Sequence, residues 1–279
     1  MTIRKNALVV LALALALAAV GCKKKKDGGG EGTGTGGGPA KQGSITLAGS
    51  TSVQPFAEKW AEEYKGGTVD VQAGGSTAGI KAVKEGTAAI GMSSRELHED
   101  EKAGLVATVV ARDGIAVIVH PANPVADLTV EQVKGIYAGK ITNWKDVGGP
   151  DKGITVITRE EGSGTRGAFE ELVMGKDNPI TNSAIVQGQT GGVRTMVTGD
   201  EAAVGYISIG QLTDKVKALK LGGVEATEAN VAAGTYPVKR PFLFITKGEP
   251  AGAAKAFIDY VLSAEGQDLA RKEGLVPAK

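Results

Sequence analysis

The chain has 279 residues, which is enough for one large domain or for two of ordinary size. Its formal net charge of +1 hides an uneven distribution, because residues 1–43 contain seven Lys/Arg and only two Asp/Glu. Residues 44–279 therefore contain 25 Lys/Arg and 29 Asp/Glu, a formal charge of −4. A mildly acidic body without a basic stripe argues against nucleic acid as a partner.

The N-terminus has the parts of an export signal. A short positive region, MTIRKN, precedes the apolar run ALVVLALALALAAV, which is too short to span a membrane as a mature helix. The run leads to Gly21-Cys22, which resembles a bacterial lipobox, although Ala19 stands where leucine is usual. We predict a lipoprotein signal peptide over residues 1–21 and acylation of Cys22, the only cysteine. The acyl chains would hold the protein on the periplasmic side of a bacterial membrane, inner or outer. A plain secretory signal is the alternative.

Residues 22–43 continue from Cys22 as KKKKDGGGEGTGTGGGPAKQG, a stretch of lysine, glycine and threonine without apolar periodicity. Such a segment cannot bury enough surface to order itself. We therefore predict a flexible tether between the membrane anchor and the folded body.

From residue 44 onward, short apolar strands alternate with amphipathic helices, which predicts an α/β fold. Four predicted strands end in small hydroxyl residues, each predicted to begin a helix. In chain order, these strands are SITLAG before Ser50, Thr51 and Ser52, TVDVQAG before Ser76 and Thr77, AAIGM before Ser93 and Ser94, and ITVIT before Arg159, Ser163, Gly164 and Thr165. Ser93 and Glu96 have the spacing of a capping box.

Each hydroxyl taken alone is explained by helix capping, since Ser and Thr are favoured N-caps. Four such turns together indicate a binding site, because the carboxyl ends of strands in an α/β sheet share one edge, where ligands bind. Helix N-termini at that edge direct backbone N–H groups at a common point, which suits a small tetrahedral oxyanion. Arg159 would add a planar fork of donors, or it would form a surface ion pair with Glu160 or Glu161.

The sequence lacks the residues that the common types of catalytic site require. A serine hydrolase needs a base, but His98 lies in the charged segment ELHEDEK and His120 ends the apolar run IAVIVHP. EGSGT is not a G-x-S-x-G elbow, and the sequence contains no P-loop, no H-E-x-x-H and no cysteine cluster. We therefore expect a binding protein without a cofactor or metal. A phosphate-ester hydrolase with Ser163 as nucleophile is a less favoured alternative.

The body of the chain resembles the substrate-binding proteins of bacterial phosphate ABC importers. The matching segments are AGSTSVQPFAEKWAEEY, AGGSTAGIKAVKEGTAAIGMSSREL, IYAGKITNWKDVGG, REEGSGTRGAFEE and AAVGYISIG. The resemblance implies a two-lobed periplasmic-binding-protein fold of type II, with two mixed sheets flanked by helices and two hinge crossings. Lobe 1 would comprise residues 44–119 with 239–279, and lobe 2 residues 120–238.

The resemblance also implies a function: high-affinity binding of inorganic phosphate outside the cytoplasmic membrane and delivery to an inner-membrane ABC permease by lobe closure. We expect the receptor to be a monomer. Carried over by position, the phosphate ligands would be Thr51, Ser52, Ser76, Ser94, Arg159, Ser163, Gly164 and Thr165. Ser50, Thr77 and Arg95 are additional candidates.

The sequence departs from the family at one position. Some members have an aspartate where this chain has Ser94, and that carboxylate accepts a proton from the bound phosphate. Sulfate has no proton to give, whereas a serine hydroxyl both accepts and donates. Glu160 and Glu161 are alternative acceptors. The sequence therefore leaves sulfate, molybdate and tungstate open as ligands, and sensing open beside transport.

Overall fold

The computed structural model describes residues 43–175 and 177–278. The predicted signal peptide, the acylated Cys22 and the tether up to residue 42 lie outside this range, so they stay predictions. Within the described range, no helix is both long enough and apolar enough to cross a membrane.

Strands and helices alternate along the described chain, as the hydrophobic pattern predicts. The strands are β1 Ile45–Gly49, β2 Val69–Ala73, β3 Ile90–Ser93, β4 Leu105–Val119, β5 Asp127–Leu128, β6 Thr155–Arg159, β7 Ile185–Gln187, β8 Ala203–Ser208, β9 Lys217–Ala218, β10 Lys220–Leu221, β11 Lys239–Lys247 and β12 Val276–Pro277. The α-helices are α1 Gln54–Glu63, α2 Ser76–Glu85, α3 Val130–Tyr137, α4 Gly164–Phe169, α5 Thr190–Gly199, α6 Glu228–Ala232, α7 Gly252–Val261 and α8 Ala264–Lys272. Single turns of other helix types cover Trp144–Val147, Glu170–Met174 and Ile209–Gln211.

The sheet is mixed, with helices packed on it. Its main path runs β2-β1-β3-β11-β4-β8-β6-β7, in which β1 pairs in parallel with β2 and β3, and β6 pairs in parallel with β7 and β8. The 15-residue strand β4 pairs antiparallel with β11 through its first part and with β8 through its last part. The α/β class and the mixed sheet are thus confirmed, and β4 joins the two halves of the sheet.

Two large hydrophobic clusters form the core. One contains Trp60 of α1, whose ring meets that of Phe244 in β11 edge to face, with centroids 5.9 Å apart. The other contains Phe169 of α4, which stacks on Tyr206 of β8 with centroids 4.2 Å apart. Because β4 contributes Val110 and Ala111 to the first cluster and Ile115–Val119 to the second, this strand passes from one cluster to the other. The lobe boundaries stay a prediction.

The apolar stripes place the helices as expected at several points. Phe56 and Trp60 on α1 are buried, as are Ile80 and Val83 on α2. The segment AGAAKAFIDYVLSAEG, residues 251–266, is divided between α7 and α8. The division occurs because the Ser263 hydroxyl accepts a hydrogen bond from the Gly266 N–H at 3.2 Å and starts a new helix.

The helix predicted after β3 is wrong. Residues 94–104 form turns and irregular structure between β3 and β4. The Ser93 hydroxyl does not form the capping box with Glu96. It donates to the Arg95 carbonyl at 2.8 Å and accepts from the Arg95 N–H at 3.3 Å. This local closure satisfies the hydroxyl without a helix.

Candidate functional site

The predicted anion ligands lie in the interior of the protein. Every one of them is less than a tenth exposed, although seven of the eight residues carry polar side chains. Buried polar groups need partners. Several of them are partners of one another across distant chain segments, so the structure brings these segments together.

The first turn, which follows β1, contacts the starts of α4 and α5. The Ser52 hydroxyl lies 2.6 Å from the Thr165 hydroxyl of α4 and 3.2 Å from the Thr190 hydroxyl of α5. The Thr51 hydroxyl lies 3.3 Å from that of Thr190. Residues more than 110 positions apart thus share one hydroxyl cluster.

Arg159, at the carboxyl end of β6, is only 1% exposed. Its guanidinium donates from Nη2 to the Thr51 hydroxyl at 3.0 Å and from Nη1 to the Thr190 hydroxyl at 3.2 Å. The predicted ion pair of Arg159 with Glu160 also forms, since the Glu160 carboxylate accepts from Nε and Nη2 at 2.9 Å each. The Arg159 N–H donates to the Tyr206 hydroxyl at 3.3 Å; burial raises the pKa of Tyr206 to about 12, so the phenol stays neutral.

The second and third turns meet the start of α4. The Ser94 N–H donates to the Ser76 hydroxyl at 3.1 Å, and the Thr77 N–H donates to the Gly162 carbonyl at 3.2 Å. Both serine hydroxyls face the backbone of Gly164. A Cβ added at Gly164 would overlap the Ser76 hydroxyl and lie 2.8 Å from the Ser94 hydroxyl. Glycine is therefore required here for close approach rather than for an unusual backbone angle.

Ser163 caps α4, where its hydroxyl accepts from the Arg166 N–H at 3.3 Å. Neither histidine lies beside it. His98 is mostly exposed, with Nδ1 3.9 Å from a Glu101 carboxylate oxygen, and the His120 ring accepts from the Ala122 N–H at 3.1 Å. Ser163 thus lacks the histidine base that the hydrolase alternative requires.

The three additional candidates are placed less centrally. Ser50 is buried behind Ser94, and its hydroxyl donates to that of Ser94 at 2.9 Å. The Arg95 guanidinium forms a two-pronged ion pair with Glu101, at 2.7 and 2.8 Å. It also donates to the hydroxyl of Thr77, an exposed residue, at 3.3 Å. Arg95 and Thr77 therefore lie at the rim, and Ser50 lies behind the hydroxyl cluster.

The structure adds a second buried arginine that the sequence analysis missed. Arg240 of β11 donates from Nη1 to the Thr165 hydroxyl at 2.7 Å and to the Ser94 carbonyl at 3.3 Å. Its Nε and Nη2 both donate to Asp113 of β4, at 3.0 and 2.8 Å. Burial raises the pKa of Asp113, while the charge of Arg240 and a hydrogen bond from the Ser208 hydroxyl oppose that rise.

Thr190 is the other site residue that the sequence analysis missed, although a sequence pattern could have indicated it. β7 ends at Gln187 and α5 begins at Thr190, so this segment repeats the pattern of strand, hydroxyl and helix. Strand β7 has only three residues, two of them exposed, so it lacks the hydrophobic pattern by which a strand is predicted.

The arrangement is chemically suited to hold an anion. One guanidinium and several hydroxyl groups lie where strand ends and helix starts meet, and charge-assisted hydrogen bonds from such groups are strong. Among residues 43–175 and 177–278, no group of three or more His, Cys, Asp or Glu is arranged to bind a metal.

Comparisons with known proteins identify the family of this chain. A family model described as a PBP superfamily domain matches residues 34–265. The phosphate-binding protein PstS of Bacillus subtilis (strain 168) is 37% identical over 246 residues, which are 84% of this chain and 81% of that protein. The chain belongs to the PBP superfamily and, within it, to the family of PstS phosphate-binding proteins.

Solved structures are similar over the same range. A putative phosphate ABC transporter substrate-binding protein from Clostridium perfringens, solved with bound phosphate, has a TM-score of 0.82 and 47% identity. The match covers 85% of this chain and all of that one. An ABC-type phosphate transport receptor from Vibrio cholerae has a TM-score of 0.71 and 41% identity, covering 83% of this chain and 99% of that one. These relatives are transport receptors rather than enzymes, in agreement with the expectation of binding without catalysis.

Proposed function

We propose that this protein binds inorganic phosphate outside the cytoplasmic membrane and delivers it to the permease of an ABC importer. The observation that carries the proposal is the buried cluster in which Arg159 holds hydroxyl groups from distant turns. The phosphate-binding relatives, one of them solved with the anion, support the choice of ligand.

The proposed ligands are all buried, and they lie in turns that meet at the starts of α4 and α5. They are Thr51, Ser52, Ser76, Ser94, Arg159, Ser163, Gly164 and Thr165. A hydrogen bond to a charged group contributes about 1.5–3 kcal/mol net. Several such bonds reach the roughly −8.2 kcal/mol of micromolar binding, even after the costs of ordering and closure.

The two predicted lobes, residues 44–119 with 239–279 and residues 120–238, would close over the anion and exclude water. Support comes from the two hydrophobic clusters, which divide close to these boundaries. The bond between Ser52 and Thr165 would then be a contact between lobes. Water exclusion strengthens each hydrogen bond to the ligand, because the local dielectric constant falls.

The receptor would act as a monomer attached through lipidated Cys22. A receptor attached in this way would stay near the membrane, and the predicted tether, residues 22–43, would leave it free to rotate. Replacing Cys22 by serine is expected to move the protein from the membrane fraction to the soluble fraction. Retention in the membrane fraction would contradict the anchor.

Titration calorimetry with phosphate tests the proposed site. We expect Arg159→Ala to weaken binding at least about 100-fold, because a buried charge-assisted donor is lost. Arg271→Ala is the matched control, since Arg271 forms a mostly exposed ion pair with Asp268. Equal phosphate affinity in the Arg159 variant and the control would remove Arg159 from the site.

A further inference from the structure

Arg240 is held in a fixed orientation by its neighbour across the sheet. Arg240 of β11 and Asp113 of β4 are register partners in the antiparallel pair, and both side chains are almost fully buried. The Arg240 Nε and Nη2 donate to Oδ2 of Asp113 at 3.0 and 2.8 Å. The Ser208 hydroxyl holds the other carboxylate oxygen, at 2.9 Å. Because a guanidinium is planar and rigid, these bonds also set the direction of the third nitrogen, Nη1.

Nη1 contacts two of the proposed phosphate ligands. It donates to the Thr165 hydroxyl at 2.7 Å and to the Ser94 carbonyl at 3.3 Å. Thr165 lies in the first turn of α4, and Ser94 lies in the turn that follows β3. The Ser76 hydroxyl is at the same junction, since it accepts from the Ser94 N–H at 3.1 Å. One nitrogen of Arg240 therefore links the start of α4 to the third turn.

The bond from Arg240 to Thr165 has the length of a charge-assisted hydrogen bond. A hydroxyl oxygen that accepts from a cation becomes a better donor of its own hydrogen, because bonds in a chain polarise one another. The Thr165 hydroxyl also lies 2.6 Å from the Ser52 hydroxyl, another proposed ligand. The charge of Arg240 can thus act on a bound anion through Thr165, without direct contact.

We propose that Arg240 is a positioning residue of the phosphate site: it holds Thr165 and the third turn in place for the anion, while Asp113 balances its charge. The inference rests on the proposed function, because it takes Thr165 and Ser94 as ligands. In the competing explanation, the ion pair only joins β4 to β11. Phosphate affinity would then follow protein stability, whereas a positioning role separates the two.

The first test compares Asp113→Leu with the double variant Asp113→Leu, Arg240→Met. The double variant should have the higher Tm, because it contains no unpaired buried charge. It should nevertheless bind phosphate at least about tenfold more weakly than Asp113→Leu, since only the double variant has lost the bond from Nη1. Thermal denaturation measures the stabilities, and titration calorimetry well below Tm measures the affinities. Affinities in the same order as the stabilities would overturn the inference.

Arg240→Lys tests the same role with the buried charge retained. Lysine keeps a cation beside Asp113, but its donors lie on one nitrogen of a flexible chain instead of on a planar fork. The ion pair should therefore persist while the bond to Thr165 is lost, and phosphate affinity should fall about tenfold. Wild-type affinity in Arg240→Lys would overturn the inference. This variant also decides the question if the double variant does not fold.

The mostly exposed pair of Asp268 and Arg271 provides a matched control. Asp268→Leu with Arg271→Met makes the same two replacements on α8, and phosphate affinity should stay within about twofold of wild type. A loss as large as that of the buried double variant would overturn the inference. A wild-type protein that binds no phosphate would overturn the proposed function as well.

Discussion

The ion pair between Asp113 and Arg240 joins β4, which passes from one hydrophobic cluster to the other, to β11. It allows a direct test of the electrostatics in the protein interior. Both side chains are 1% exposed. Asp113 accepts two hydrogen bonds from Arg240 and one from Ser208. Removing the carboxylate leaves a buried guanidinium without its counter-charge, which costs about 3–5 kcal/mol. We therefore expect Asp113→Leu to lower stability by that amount.

The size of the effect can be read by thermal denaturation. For a body of this size, 1 kcal/mol shifts Tm by about 2–4 °C, so Asp113→Leu should lower Tm by roughly 6–20 °C. The double variant Asp113→Leu with Arg240→Met should recover much of that loss, because two buried charges are removed together. Asp268→Leu breaks a mostly exposed pair and should cost less than about 1 kcal/mol. A Tm within about 2 °C of wild type for Asp113→Leu would refute the reasoning.

Three further predictions concern the site and its rim. Gly164→Ala should weaken phosphate binding at least about 100-fold, because the added methyl group enters the hydroxyl cluster. Gly191→Ala, with open space around its Cβ, is the control and should bind phosphate like wild type. Calorimetry measures both affinities, and equal affinities would contradict the prediction. Thr190→Val should weaken phosphate binding about tenfold, because a guanidinium donor of Arg159 loses its acceptor; unchanged affinity would exclude that role. Burial raises the pKa of Glu101, but hydrogen bonds from Arg95 and the backbone outweigh it, and the pKa is lowered. A carboxyl group whose pKa is lowered by folding stabilises the fold at pH values above its ordinary pKa of about 4.3. This stabilisation is lost as the pH falls through the pKa of the folded state. Urea unfolding should therefore show a smaller stability loss on acidification for Glu101→Gln than for wild type; equal losses would contradict this.

Much of the fold was readable from local patterns. The alternation of apolar strands with amphipathic helices predicted the α/β class, and the buried positions Phe56 and Trp60 show the helical spacing on α1, because periodicity reports which face is buried. The helix after β3 was predicted wrongly, since a serine and a glutamate at capping-box spacing do not show which backbone group the hydroxyl will bond. Here the Ser93 hydroxyl bonds to Arg95 instead.

The rule that carboxyl ends of parallel strands share an edge accounts for the ligands that follow β1 and β3, because these strands are parallel. It does not account for the contact of Ser52 with Thr165, because β6 runs opposite to β1 along the sheet. No comparable rule predicts that Arg240 and Asp113 form an ion pair. They lie inside long strands 127 residues apart, where one charged residue in an alternating pattern is typical of a solvent-facing position. Ser50 illustrates a finer limit: sequence placed it in the first turn, but only the direction of its hydrogen bonds assigns it to Ser94 rather than to the ligand.

The pairing of β4 with β11 would constrain how the predicted lobes open. Residues Leu105–Gly114 and Lys239–Lys247 are held in antiparallel register, with one bulge between Phe242 and Leu243. A ladder of this kind can bend and twist at a bulge, but it cannot slide without breaking many hydrogen bonds at once. Each cycle of opening and closing would therefore return the same donors to the same places, so that capture of the ligand would need no renewed search for alignment.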